Sequence, residues 1–134
     1  MFLESFLFFL LFFFSAAAIL LLFIFLYAKV TPYDDYQLIF RENNAAAAVA
    51  FGGAILGLCI PLYSALVSSV SYVDFLLWAM VAMGIQLLFA FVMIRINVKF
   101  SFEKLLEEGV VSVGVFMAFL SLSIGLLNAG SMSY

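Results

Sequence analysis

The sequence predicts an all-α polytopic membrane protein with four transmembrane helices. Three observations predict it. First, 69% of the 134 residues are hydrophobic and only 10% are charged, with a mean hydropathy of +1.32. Soluble domains run nearer half apolar and a quarter charged. Second, the apolar residues fall in four unbroken runs, and a helix needs about 20 such residues to cross a hydrocarbon core of about 30 Å. Third, the five Lys and Arg residues lie only at the end of the third run and in the two segments after the first and third runs. This balance excludes a cytosolic enzyme, a secreted disulfide scaffold, a disordered chain and a free nucleic-acid-binding domain.

The predicted spans are about Ser5–Ala28, Ala45–Val70, Asp74–Ile96 and Val110–Ala129, in a single transmembrane domain covering 1–134. They are helices because every backbone amide in lipid needs an internal partner, and unbroken apolar runs lack the alternation of a barrel strand. The first run is read as a retained helix. Its flank Met1–Ser5 carries Glu4 and no basic residue, and the run is too long for a signal peptide's apolar core.

Orientation follows from Lys29 and Arg41 in one loop (about 29–44) and Arg95, Lys99 and Lys104 around the other (about 97–109). The positive-inside rule makes both loops cytoplasmic and places both termini outside. Each loop is expected to hold a short amphipathic segment. In the first, Thr31 serves as N-cap, Pro32 opens the helix, and Tyr33, Tyr36 and Phe40 form the apolar stripe. In the second, Ser101 caps a segment with Phe102, Leu105 and Leu106 on its apolar side.

Shifting the chain by about 66 residues pairs Glu42 with Glu108, Lys29 with Arg95, and Leu21, Leu22, Phe23 and Phe25 with Leu87, Leu88, Phe89 and Phe91. The physical reading is two hairpins of like orientation, a parallel repeat about an axis normal to the membrane. Small residues recur in pairs at four-residue spacing: Gly53 and Gly57 in the second span, and Gly114 with Ala118 and then Ser121 with Gly125 in the fourth. Such residues let backbones approach where lipid supplies no hydrophobic drive between helices, so the second and fourth spans are expected to form the packed core.

The run Glu42-Asn43-Asn44-Ala45-Ala46-Ala47, then Gly52-Gly53-Ala54, Gly57 and Pro61, resembles the second helix of the YjfL-like family of small bacterial inner-membrane proteins. Ser69 to Phe75, with Trp78 and Gln86, resembles that family's third helix, and Gly125-Leu126-Leu127-Asn128-Ala129 resembles its C-terminus. The likeness covers about Thr31 to Tyr134. It departs at Asn43, where the family commonly has Gly, and at Val110-Val111-Ser112, where a second Asn-x-Ala-Ala is often clearer. The resemblance implies a four-helix fold in the bacterial cytoplasmic (inner) membrane. It implies no activity, because the family is one of unknown function.

Few residues are candidates for chemistry. Glu42 and Glu108 sit at equivalent helix starts and either flank a cation or complement the helix dipole; the dipole role needs no further ligand. Asp74 opens the third span as a cap or a cation-attracting mouth. Gln86 and Asn128 are polar groups within or near the membrane, either bonded across helices or lining a solute path. Pro61 is expected to kink the second span. There is no His and one Cys, Cys59. No imidazole, disulfide or thiolate cluster is therefore available, no metal or other cofactor is expected, and no serine has a visible base. The expected function is that of a non-catalytic membrane structural or accessory subunit. It assembles through helix packing, as a homo-oligomer or within a larger complex in the lipid bilayer, and presents its loops to a partner. The alternative is a homo-oligomeric channel or small-solute transporter.

Overall fold

The structure, a computed structural model, describes residues 1–95 and 101–132. Four helices are long and apolar enough to cross a membrane: α1 (Phe2–Val30), α2 (Ala45–Ser68), α3 (Tyr72–Arg95) and α5 (Val111–Ser131). A π-helical turn (Gln37–Arg41) and the short α4 (Phe102–Glu107) lie in the two basic segments. There is no β-strand among the described residues. Ile96, Lys99 and Tyr134, which bear on the predicted third span and the charge count, lie outside the described residues.

Local chemistry sets the ends. Pro32 disfavours helical backbone at the residue before it, and Thr31 is accordingly extended (φ −72°, ψ 139°) as the C-cap of α1. This corrects the expectation for the first loop, because Thr31 ends α1 instead of starting the next segment. Asp34 takes the capping role, its carboxylate accepting the Gln37 N–H at 3.1 Å. The aromatic stripe is also corrected. Tyr33 precedes the turn and is 8% exposed, whereas Phe40 is 76% exposed. The Glu42 N–H bonds to the Gln37 carbonyl at 3.1 Å, five residues back, and that wider turn breaks the 3.6-residue register the stripe assumed. In the second loop Ser101 caps α4, accepting the Lys104 N–H at 3.2 Å, and Leu106 is fully buried. Between α2 and α3, Ser71 accepts the Asp74 N–H and Asp74 accepts the Val70 N–H, both at 3.1 Å. This reciprocal cap starts α3 at Tyr72.

The repeat is visible in the backbone. α2 and α5 begin about 66 residues apart. Each is preceded by a left-handed residue, Asn43 (φ 53°) and Gly109 (φ 80°), at matching positions. The next residues, Asn44 (φ −81°, ψ 99°) and Val110 (φ −74°, ψ 98°), share one extended geometry. Asparagine tolerates positive φ better than most residues, which accounts for Asn43 where the resembled family commonly has Gly.

α2 and α5 make the closest helix contact. A β-carbon built on Gly114 would lie 2.3 Å from the Ala46 carbonyl oxygen, one on Gly53 2.4 Å from the Ala118 Cα, and one on Gly125 2.2 Å from the Gly57 carbonyl oxygen. The Ser64 hydroxyl donates to the Ala129 carbonyl at 3.4 Å. Partner numbers rise together, so the helices run parallel. Each pair also lies close to one repeat apart, which puts the local twofold axis between α2 and α5. α1 and α3 pair in parallel on the flank, through Ser15 and Tyr72 (2.6 Å) and through Arg95, which donates to the Val30 carbonyl at 3.3 Å. Pro61 is buried within the continuous helix α2. The first half of α1 is the least packed part, with Phe2, Phe6, Phe9 and Phe13 stacked along one exposed face.

Candidate functional site

Polar side chains gather in two places. The first lies in the membrane interior, where α2, α3 and α5 meet. Gln86 of α3 is 3% exposed and Asn128 of α5 is 9% exposed. The Asn128 amide donates to the Ala82 carbonyl at 3.2 Å and to the Gln86 side-chain oxygen at 3.4 Å. The Gln86 amide donates to the Ser121 carbonyl at 3.4 Å. Gly57 makes room for this layer, since a β-carbon there would lie 2.9 Å from the Gln86 amide nitrogen and 2.6 Å from the Ser121 carbonyl oxygen. The two polar side chains thus bond to each other and to backbone, and tie α3 to α5.

The second place is the end carrying the basic segments. Asn44 is its hinge pin. Its side-chain oxygen accepts the Ala47 N–H at 3.0 Å and caps α2. Its amide donates to the Leu106 carbonyl at 2.8 Å, in the other repeat half. The sequence reading treated Asn44 as part of a motif and missed this role; an Asn directly before an alanine run is itself an N-cap signature. Beside it Glu42, Glu107, Glu108 and Gly109 line a shallow depression. The structure thus brings Glu42 and Glu108 to one depression, where both are exposed. No group of three carboxylate, His or Cys ligands that could hold a metal ion occurs among the described residues. Asp74 lies at the opposite end and is spent on its cap.

A buried carboxylate went unread in the sequence. Asp35 is 2% exposed, and its carboxylate accepts the Thr31 hydroxyl. Tyr27 and Tyr33 are buried near it, and the Tyr33 hydroxyl has no hydrogen-bond partner among the described residues. Nothing in the dipeptide Asp34-Asp35 says which acid turns inward. Burial raises the Asp35 pKa to about 6, the Thr31 hydroxyl opposing and the Asp34 charge reinforcing the rise. The folded chain therefore favours the neutral acid. The stabilisation is complete below the ordinary carboxylate pKa of about 3.9 and is lost as pH rises through about 6. Asp35→Asn is expected to raise the unfolding temperature at pH 7 and to flatten its dependence between pH 4 and pH 6. Thermal unfolding in detergent across that window is the check, and an unchanged slope refutes the assignment.

With this geometry in view, the comparisons decide the family. The DUF350 family, a domain of unknown function, matches residues 1–132. The chain belongs to the DUF350 family. The UPF0719 inner membrane protein YjfL of Escherichia coli (strain K12) is 39% identical over 112 residues, which is 84% of this chain and 83% of that protein. The protein of the same name from Escherichia coli O157:H7 gives the same figures. No solved structure matches. The resemblance read from residues 31 onward is thus part of a family match over nearly the whole chain. This DUF350 chain is an integral membrane protein, all-α, with four candidate membrane-spanning helices.

Proposed function

We propose that this DUF350 protein is a non-catalytic structural or accessory subunit of the bacterial inner membrane. Both termini lie outside, and the two basic segments face a cytoplasmic partner. The observation that carries the reading is the Gln86–Asn128 layer. These side chains are satisfied by each other and by the Ala82 and Ser121 carbonyls, which supports a binding role between helices over a solute path. Gly53 and Gly57 of α2 and Gly114 and Gly125 of α5 are consumed within the chain. Contact with other subunits therefore falls to other surfaces, of which the exposed Phe face of α1 is one. The lack of an ionisable group at the centre of any span argues against a proton relay.

Native mass spectrometry of the protein gently extracted from its own membrane tests the reading. Unlike subunits recovered in fixed ratio support it. A closed ring of identical copies favours the channel alternative, as does an ion-selective flux in proteoliposomes that Gln86→Leu abolishes. The proposed topology predicts that a reporter fused after Tyr134 is exported; activity only in the cytoplasm refutes it.

A further inference from the structure

An apolar groove lies between α1 and α2, at the end of the molecule that carries the basic segments. Its volume is about 240 Å³. Ile24 of α1 forms one wall, Phe51, Gly52 and Ile55 of α2 form the other, and Tyr36 and Phe40 close it from the loop side. The π-helical turn builds that closure. Its wide register leaves Leu38 buried while Phe40 stays 76% exposed beside the groove. Gly52 lines the groove without a side chain, and a β-carbon there meets no atom within 4 Å. It therefore differs from Gly53, whose β-carbon would lie 2.4 Å from Ala118. At Gly53 a backbone packs into the space that glycine leaves; at Gly52 the space is open.

The occupant follows from where the groove sits and what surrounds it. Its walls belong to two membrane-spanning helices and are apolar apart from the Tyr36 hydroxyl, so the surrounding medium at this depth is acyl chain. Arg41 ends the π-helical turn directly after Phe40 and is exposed. No carboxylate lies within ion-pair distance of it among the described residues. The adjacent Glu42 lines the acidic depression next to Glu107 and Glu108, not this groove. A guanidinium carried one residue beyond the groove-wall residue Phe40, with no carboxylate paired to it among the described residues, complements a phosphate above a hydrocarbon chain. We propose that the groove is a lipid site, holding one acyl chain of an anionic phospholipid whose phosphate is met by Arg41. This goes beyond the accessory-subunit reading and does not depend on it.

The test is photolabelling of the full-length protein in nanodiscs, using phosphatidylglycerol with a diazirine in one acyl chain and the matching phosphatidylcholine. The proposal expects label concentrated on segments 36–40 and 48–55. Gly52→Leu fills the groove and is expected to cut that label about tenfold. Gly84→Leu serves as control, because its β-carbon also meets nothing within 4 Å but lies on α3 away from the groove; it is expected to leave labelling unchanged. Arg41→Gln is expected to abolish the preference for phosphatidylglycerol while retaining the chain contact. Phe40→Ala removes an exposed wall without touching the core, and is expected to lower the label if Gly52→Leu fails to fold. Label spread evenly over the lipid-facing helices, or groove label that persists in folded Gly52→Leu, overturns the site. Equal labelling by the two lipids in the wild-type protein overturns the role of Arg41.

Discussion

Replacing Gly53 and Gly57 together by leucine is expected to force α2 away from α5 and unfold the bundle. The leucine β-carbon at position 53 would sit 2.4 Å from the Ala118 Cα and Cβ, and at position 57 it would sit 2.6 Å from the Ser121 carbonyl oxygen. These neighbours are mainly backbone, which has no rotamer into which it can retreat. Overpacking a well-packed core costs about 1–3 kcal/mol per site, and more where backbone must move. Two such sites on one interface approach the whole stability of a small domain, about 5–15 kcal/mol. The Gln86 amide would also be displaced, since it lies 2.9 Å from the position of the new β-carbon at 57. Thermal unfolding and size-exclusion profiles in detergent read the effect, with Gly84→Leu as a control that meets open space. A double variant that elutes and melts like the wild type refutes the contact. Because the contact lies within one chain, the loss is expected at every protein concentration, whereas a purely intersubunit contact would give a loss that depends on dilution.

The same small residues show what was legible beforehand. Gly53 with Gly57, Gly114 with Ala118, and Ser121 with Gly125 stand at four-residue spacing in strongly apolar runs, and in lipid that pattern has one efficient use. Their spacing alone therefore points to α2 and α5. The number of spans was legible for the same reason, since hydropathy and length carry it. The offset of about 66 residues was legible from Glu42 and Glu108, but its meaning lay in the left-handed pair Asn43 and Gly109, whose shared conformation no side-chain identity announces. The loop was the weak point. Thr31 and Pro32 are equally good as a helix start or a helix stop, and only the preceding turn of α1 decides between them. The π register at Gln37–Arg41 has no sequence signal of its own, so the stripe Tyr33, Tyr36 and Phe40 was drawn with the wrong period. Asp35 and Asn44 act through partners that are buried or distant in sequence, the Thr31 hydroxyl and the Leu106 carbonyl. A polar residue in a loop gives no notice of such a partner.

Asn44→Ala is expected to cost about 1.5–3 kcal/mol and to loosen both loops at once, because one side chain serves two bonds. Losing the cap on the Ala47 N–H is worth about 0.5–2 kcal/mol. Losing the donor to the buried Leu106 carbonyl adds about 1 kcal/mol. The two parts can be separated. Asn44→Ser keeps a good capping oxygen but is too short to reach across to Leu106, so its stability is expected to fall between alanine and wild type. Amide hydrogen exchange assigns the remainder: serine is expected to restore protection at Ala47 and to leave the α4 amides as open as alanine does. The repeat-equivalent position gives an internal comparison. Val110 has the same backbone geometry as Asn44 and no side-chain cap, so the first turn of α5 is expected to exchange faster than that of α2 in the wild type. Removal of the Asn44 cap should bring the two rates together. If serine matches wild type in both stability and α4 protection, the bond across the repeat contributes nothing and the two halves are held at this end by apolar packing alone.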